Sequence, residues 1–176
     1  MARYDTYTKI LHGKVIPEIY HPRASVGQVL LYNFFKNPER VIQVSDDDGI
    51  ALTCLEMSIM MTNIAKNLFN LGFKCGDVAG LLATNTTYVA PAIFGSLLLG
   101  LVPSPLDTSF NVDKIVQIYR KTRPSLVFCD YDMAEKLISA LDLLQLSTRV
   151  VILNGRLDGY LNISDLLSDP MELIEL

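Results

Sequence analysis

The sequence contains few of the side chains that build catalytic and metal sites. Its 176 residues include only two histidines and three cysteines. Cys54, Cys75 and Cys129 form no Cys-x-x-Cys pair and have no histidine beside them, so the spacing of a metal site is absent. Three separated cysteines predict free thiols in a reducing compartment. His12 and His21 both precede the first predicted helix, so a catalytic triad would require this segment to fold over the sheet, and surface histidines are favoured.

Glycine loops that hold phosphates are also missing. The sequence has neither a Gly-x-Gly-x-x-Gly motif nor a Gly-Lys-Ser/Thr loop, which argues against the common dinucleotide-binding and P-loop classes. Gly72 and Gly76 instead predict a helix end and a turn. Charged residues make up 19% of the chain, the formal net charge is −4, and the lysines and arginines are scattered. Nucleic acid is therefore not expected as a partner, because phosphate-backbone binding needs a basic patch.

No stretch has the pattern of a signal peptide or of a membrane span. The first 25 residues mix charged and apolar positions, which predicts a cytoplasmic protein. The longest run without charge lies between Asp77 and Asp107, and its densest part, 88–102, is interrupted by Pro91 and Gly100. A span needs roughly twenty predominantly apolar residues, so a fully buried helix is the better interpretation of this run.

The N-terminal half predicts an arm, a helix, a hairpin and a second helix. Residues 1–25 have no sustained period and predict an extended arm. Residues 25–37 predict a helix that Ser25 caps and Pro38 stops. Two short apolar runs, 41–44 and 50–53, flank an Asp-Gly turn and predict a hairpin.

The strongest helix pattern begins at Thr53, with Glu56 completing a capping box. Apolar residues then repeat every three or four positions, and Gly72 ends the helix. The stripe is rich in methionine. Such a stripe can form a promiscuous binding surface, but core packing is the commoner use and is the prediction here. The repeating positions are Met57, Met60, Met61, Ile64, Leu68 and Leu71.

The C-terminal half alternates apolar strands with helices. Half of all residues are hydrophobic, and uninterrupted apolar strands are typical of a parallel sheet covered on both faces. The predicted fold class is therefore α/β, a doubly wound, mainly parallel sheet with helices on both faces. The predicted domains are an arm at 1–25, an α/β subdomain at 26–155 and a C-terminal tail with a short helix at 156–176. The predicted strands are 78–83, 101–103, 126–129 and 150–153, and the helices are 88–100, one that carries 115–119 and ends before Pro124, 133–144 and 164–167.

Ligands of doubly wound sheets bind at the carboxyl ends of the strands. The loops to consider are 83–88, 104–111 and 130–133, and none contains a phosphate cradle. Asp107 and Asp130 follow strands, where catalytic carboxylates occur, but aspartate is also an ordinary turn and cap residue. The run Asp46-Asp47-Asp48 suggests a hard-cation site, although consecutive side chains point apart and a solvated turn is favoured. No residue is assigned as catalytic, cofactor-binding or metal-binding.

Four segments resemble landmarks of the adenylate-forming superfamily, which contains acyl-CoA synthetases, 4-coumarate-CoA ligases and firefly luciferase. Leu-Thr-Cys-Leu-Glu-Met at 52–57 is similar to the first core motif, Leu-Thr-Tyr-x-Glu-Leu. Gly76-Asp77 and the strand after it, followed by Asn85, resemble the Gly-Asp-x-Val strand and its asparagine turn. Residues 98–107 look like the second core motif, with a shifted proline and without its lysine, and 124–130 resembles the strand that follows. The segment 21–25 also looks like insect luciferase-like ligases.

The resemblance implies the N-terminal subdomain of the adenylate-forming fold and a two-step reaction. ATP and a carboxylic acid give an acyl-adenylate and pyrophosphate, and CoA then displaces AMP, so the family uses ATP, magnesium and CoA. The family's phosphate loop, adenine and ribose motifs and C-terminal catalytic lysine fall beyond the equivalent of Leu176. The resemblance therefore places no cofactor site in this chain, which is predicted to be inactive by itself, and it does not identify the acyl substrate.

Three hypotheses follow. The leading one is a truncated acyl-CoA synthetase whose segment serves as a scaffold. The alternative is a non-catalytic interaction module that pairs with itself or with a full-length relative, because a sheet cut from a larger domain leaves apolar surface or a strand edge uncovered. A small unrelated α/β enzyme would need convergent titratable groups, which the sequence does not offer. Full-length relatives are often peroxisomal, but Ile174-Glu175-Leu176 is not the peroxisomal tripeptide.

Overall fold

The computed structural model describes residues 3–13, 20–21, 23–46 and 49–168. Asp47, Asp48, Pro22 and the tripeptide at 174–176, about which the sequence made predictions, lie outside these residues. The described elements, in chain order, are β1 Arg3–Asp5, β2 Ile10–His12, α1 Val26–Lys36, β3 Val41–Val44, β4 Ala51–Thr53, α2 Cys54–Asn70, β5 Val78–Leu82, α3 Val89–Leu99, β6 Val102–Pro105, α4 Val112–Thr122, β7 Leu126–Cys129, α5 Tyr131–Leu144, β8 Arg149–Ile152, β9 Leu161–Asn162 and α6 Ile163–Leu167.

A five-stranded parallel sheet organises the chain. Its strands lie in the order β6-β5-β7-β8-β9, and every neighbouring pair runs parallel. The chain therefore enters the sheet at an interior strand, β5. It next adds β6 on one side of β5, and then β7, β8 and β9 on the other side. Helices cover both faces, which confirms the predicted α/β class.

The two faces of the sheet bury alternate residues of each strand. In β7, Leu126 and Phe128 face a core built with α2, α3 and α6, whereas Val127 and Cys129 face a core built with α4 and α5. All four side chains are buried. This two-residue period, with both sets apolar, is why the strands appear in the sequence as continuous hydrophobic runs.

A third apolar cluster joins α1 and β4 to α2 and α3. Met57 and Met61 are buried in it beside Phe34 of α1, which confirms the core role of the methionine stripe. Thr53 forms the predicted capping box of α2 with Glu56. Ser25 caps α1 as predicted, and Gln28 completes a capping box there that was not predicted from the sequence. Helices α1 and α3 approach each other closely at Gly27 of α1, where an added Cβ atom would lie 2.4 Å from the Cα atom of Leu98 in α3.

Helix α3 departs from the sequence prediction in two respects. Only four of its residues are buried, Pro91, Ala92, Gly95 and Ser96, so the prediction of a fully buried helix was wrong. The other seven residues of α3 are only half-buried, and some of them pack against α1 and α2. The polar turn before it supplies no cap either, because the N-cap residue is Tyr88 without a side-chain hydrogen bond. Within the described residues, no helix combines the length and apolarity needed to cross a bilayer.

The predicted extended arm contains a hairpin. Strands β1 and β2 pair antiparallel, and the turn between them is held by Asp5, whose Oδ1 accepts from the amides of Tyr7 and Thr8 at 2.9 and 3.1 Å. All three residues of β2 are exposed. Strands whose side chains are exposed show no hydrophobic period, which is why the pattern of residues 1–25 did not predict this hairpin.

The segment after residue 155 packs into the sheet and core. The unpredicted strand β9 pairs with β8, and Ile163 and Leu166 of α6 are buried. The amides of Asn63 and Asn67 in α2 donate to the carbonyl oxygens of Leu167 and Leu166, both at 2.9 Å. The segment drawn from the sequence as a tail is thus, up to residue 168, part of the same core as the subdomain before it.

Candidate functional site

The strand order places the candidate site between β5 and β7. In an open parallel sheet of this order, ligands bind in the crevice outside the carboxyl ends of the strands, at the point where the connections diverge. Here the chain leaves β5 toward β6 and later returns to β7 on the opposite side. The carboxyl ends of β5 and β7 therefore form the switch-point crevice, and the residues that follow these strands decide what the crevice can hold.

Asp130 and Thr84 close this crevice. Asp130, the residue after β7, is only 2% exposed, and its Oδ2 accepts from the backbone amide and the hydroxyl of Thr84, both at 2.7 Å. The amide of Asp130 donates to Leu82 O at 3.2 Å. Oδ1 of Asp130 is buried and accepts no hydrogen bond from the described residues. The carboxylate thus fastens the loop after β5 to the end of β7, where a ligand would otherwise enter.

The polar connections continue across β8 and β9. The amide of Tyr131 donates to Oδ1 of Asn154 at 2.9 Å, and the Asn162 side-chain amide donates to the carbonyl oxygen of Gly155 at 2.7 Å. Each bond joins loops or caps at the carboxyl edge. Together with the Asp130–Thr84 hydrogen bonds, these contacts link the loops at the carboxyl ends of the strands, and we call this set of hydrogen bonds the edge clasp.

The loop after β6 carries the other candidate carboxylate. Oδ1 of Asp107 accepts from the amide of Ser109 at 2.8 Å, and this backbone hydrogen bond, with a smaller contribution from Lys136, lowers the pKa of Asp107. The ammonium of Lys136 donates to Thr108 O at 2.5 Å. Asp107 is therefore an ordinary turn residue, and the nearest cation is engaged by the same loop.

Two buried ionisable groups lie below the edge. Burial, with a further contribution from Asp130, raises the pKa of Cys129 from 9.0 to about 12. Burial also raises the pKa of Tyr119 well above its ordinary value, and its hydroxyl has no hydrogen-bond partner within the described residues. A Cβ atom at Gly80 would lie 2.4 Å from that hydroxyl. Both groups stay protonated at neutral pH and pack as core side chains.

A shallow groove borders the edge between the β3–β4 hairpin and the loop after β5. It has a volume of about 350 Å³ and is lined in part by Val44, Asn85 and Thr86. Gln43 also lines the groove, and its side-chain amide donates to Thr87 O at 3.1 Å. The Thr86 hydroxyl is buried without a hydrogen-bond partner in the described residues. The groove contains no cationic group to hold a phosphate.

The remaining residues considered from the sequence do not converge on the edge. His12 and His21 are exposed, Cys54 and Cys129 are buried, and Cys75 is exposed. Within the described ranges, no three of the histidine, cysteine, aspartate and glutamate side chains could hold a metal ion together. Sequence reasoning did not single out Thr84 or Asn154. Each lies two residues after the end of a strand, β5 or β8, so the rule that selected Asp130 could have found both.

Among the described residues, the switch point between β5 and β7 contains an acidic side chain and a backbone amide that is hydrogen-bonded to it. A phosphate site needs backbone amides or cations directed at the anion. The switch-point crevice instead presents the carboxylate of Asp130, and the amide of Thr84 is already bonded to it. A carboxylate at this position would repel a phosphate group.

Comparisons with known proteins agree on one family. The sequence model of the family described as AMP-binding enzyme matches residues 33–169. A probable 4-coumarate-CoA ligase from Dictyostelium discoideum is 25% identical over 140 residues, covering 78% of this chain and 25% of the ligase. An acyl-CoA ligase from Beauveria bassiana is 22% identical over 166 residues, covering 92% of this chain and 28% of the ligase. The chain thus spans less than a third of the length of these relatives.

Solved structures share the fold. A luciferase-like enzyme from the nonluminescent mealworm Zophobas morio superposes with a TM-score of 0.81 at 20% identity, over 87% of this chain and 36% of that enzyme. The chain thus corresponds to little more than a third of that enzyme.

Proposed function

The chain belongs to the family of AMP-binding enzymes, and from that membership we propose that it is the N-terminal part of an AMP-forming acid-CoA ligase. The family reaction joins a carboxylic acid to CoA with the conversion of ATP to AMP and pyrophosphate. The support is the family match over residues 33–169 together with relatives named as CoA ligases. A cytoplasmic location is a further part of the same proposal.

Within such a ligase, this part acts as a scaffold and does not by itself carry out the chemistry. The single observation behind this assignment is the closure of the switch-point crevice by Asp130 and Thr84. ATP, magnesium and CoA are held elsewhere in a ligase of this kind. The chain supplies the parallel sheet, and the other segments of the enzyme pack on it. By itself the chain does not form acyl-adenylate.

An ATP-pyrophosphate exchange assay tests the scaffold role. The purified chain is incubated with ATP, magnesium, labelled pyrophosphate and a panel of fatty and aryl acids, with the full-length Beauveria bassiana ligase as the positive control. The expected result is exchange at the level of the acid-free blank for every acid. Acid-dependent exchange by this chain alone would overturn the scaffold role and would require a phosphate site in the segments described above.

A second candidate, a non-catalytic module that pairs with itself or with a full-length relative, has one specific observation in its favour. Strand β3 is part of a separate two-stranded sheet and exposes three of its four residues, and a two-stranded hairpin is marginally stable without cover. Light scattering at micromolar concentration distinguishes self-pairing. A strictly monomeric chain that does not aggregate would exclude pairing with itself.

A further inference from the structure

Strand β6 forms one end of the parallel sheet, and its outer edge has no neighbouring strand among the described residues. An edge of this kind normally presents a row of unpaired amides and carbonyl oxygens, on which a strand of another molecule can pair. Val102 of β6 is 51% exposed, and an exposed β-branched residue favours such pairing. The direction of the β6 amides therefore decides whether this edge is open.

The even-numbered residues of β6 direct their amides inward, toward β5. Val102 pairs with Val78 in the parallel register, and its amide donates to Asp77 O at 2.8 Å. At the other end of the strand the amide of Leu106 donates to Leu81 O, also at 2.8 Å. Because the N–H and C=O groups of successive residues in a strand point to opposite sides, the odd-numbered residues direct these groups outward.

Both outward-facing positions of β6 are prolines, Pro103 and Pro105. Proline has no N–H group, and a ring carbon stands in place of the amide hydrogen. The amide of Leu101, just before the strand, donates to Ser96 O at 2.8 Å. From Leu101 to Pro105 the outer edge therefore presents carbonyl oxygens and no free amide.

The opposite end of the sheet is protected by its short length. Strand β9 has only two residues, Leu161 and Asn162, and the amide of Asn162 donates to Oδ2 of Asp165 at 2.8 Å. A very short edge strand offers few groups for pairing. Strand β6 has four residues, so its length gives no such protection.

We propose that Pro103 and Pro105 close the outer edge of β6 to pairing with a strand of a second protein molecule, and thereby prevent self-association through this edge. A strand placed there would find no donor for its carbonyl oxygens opposite residues 103 and 105, and a buried acceptor without a donor is unfavourable. The two prolines act together, because a partner strand bonds to alternate residues of an edge. The proposal concerns the folded chain itself and does not rest on the ligase assignment.

A double variant that restores both amides tests the closed edge. Pro103→Thr combined with Pro105→Thr gives the edge two donors, and threonine is suited to a strand without being strongly apolar. Ser104→Thr is the control in the same strand, because it adds the same side chain while the amide of residue 104 faces β5. Pro38→Thr, between α1 and β3, controls for the loss of a proline outside the sheet.

Three measurements are made on each variant. Circular dichroism and thermal unfolding establish that it folds, and sedimentation velocity over about 1–100 µM measures self-association. Hydrogen exchange followed by mass spectrometry reports on the restored amides. If the double variant does not fold, Pro105→Thr alone, at the last position of β6, restores one donor and is compared with the same controls.

The double variant is expected to self-associate at least about tenfold more tightly than the wild type and both controls. Its amides at 103 and 105 should exchange more slowly as the concentration rises, because they become hydrogen-bonded in the associated form. Pro105→Thr alone should change in the same direction by a smaller factor.

Three results would overturn the proposal. The first is self-association of the double variant no stronger than that of the controls. The second is equal strengthening by Ser104→Thr, because strand propensity would then be the cause. The third is exchange of the restored amides at one rate at every concentration, because the association would then use another surface.

These results are separate from the tests of the proposed function. Acid-dependent pyrophosphate exchange by the chain would refute the scaffold role and would leave the β6 edge unaffected. If the wild-type chain pairs with itself through another surface, the increase in the double variant is measured relative to that pairing.

Discussion

Replacement of Gly27 by alanine sets two physical effects against each other. Gly27 lies in the first turn of α1, where alanine is favoured over glycine by about 0.5–1 kcal/mol because glycine loses more backbone entropy on folding. The added Cβ atom, however, would lie 2.4 Å from both Cα and N of Leu98 and 2.6 Å from C of Leu97. These are backbone atoms of α3, so no side-chain rotation relieves the overlap.

The structure indicates which effect is larger. Ordinary van der Waals contact begins at 3.4 Å, so α1 and α3 must separate by about 1 Å, a gap that forfeits up to half of each dispersion contact along the interface. One such contact joins the rings of Phe34 and Phe94, whose centroids are 6.1 Å apart. Overpacking of this kind costs about 1–3 kcal/mol, and the rigid backbone places this site at the upper end. After the helix-propensity gain, we expect a net loss of about 2 kcal/mol.

Urea and thermal unfolding measure this loss. A destabilisation of about 2 kcal/mol should lower the midpoint of thermal unfolding by roughly 4–8 °C in a chain of this size. Gly13→Ala is the control, because no atom of the residues that the structure describes lies within 4 Å of a Cβ atom at Gly13, and its stability should stay within about 0.5 kcal/mol of the wild type. A Gly27→Ala variant as stable as the wild type would refute the close approach of α1 and α3.

Two further predictions concern the carboxyl ends of the strands. Asp130→Ala removes the acceptor of both hydrogen bonds from Thr84, and urea unfolding should show that the free energy of unfolding falls by about 2 kcal/mol, typical of hydrogen bonds to a charged group. Asp130→Asn keeps one acceptor oxygen and should lose less stability; equal losses by the two variants would contradict a stabilising role of these hydrogen bonds. Burial raises the pKa of Cys129 from 9.0 to about 12, so between these values the folded thiol retains its proton whereas the unfolded thiol loses it. The contribution of this thiol to the free energy of unfolding should therefore be fully present below pH 9 and fall as the pH rises from 9 toward 12. Unfolding midpoints in urea between about pH 8 and 10 should decline less steeply for Cys129→Ala than for the wild type, and identical slopes would show that the thiol is not buried.

Local patterns predicted most of the fold. Ser25 was predicted as a cap because serine directly precedes an apolar helix pattern, and Thr53 because Glu56 lies three positions after it in a capping box; both cap their helices. The strand at 126–129 was predicted with its observed ends, because both of its faces are buried and its sequence is apolar throughout. The predicted α/β class and family followed from the order of such elements.

The failures share a cause. The β1–β2 hairpin and the two-residue strand β9 have little or no buried face, so they leave no period in the sequence. For α3 the sequence predicted more burial than the structure shows. An apolar run indicates that burial of the helix is favourable, but it does not indicate how much of the helix surface other elements contact. Seven of its residues are only half-buried.

The sequence by itself determined most of the helices, the apolar strands of the central sheet, and the N-terminal caps of α1 and α2, since each of these depends on neighbours within a few positions. Only the tertiary structure decided what happens at the carboxyl edge. Thr84 and Asp130 are 46 positions apart, and the strand order alone brings them together to close the switch-point crevice. The same holds for the approach of Gly27 to Leu98, because contacts between distant segments depend on how the elements pack and leave no periodic signal in either segment.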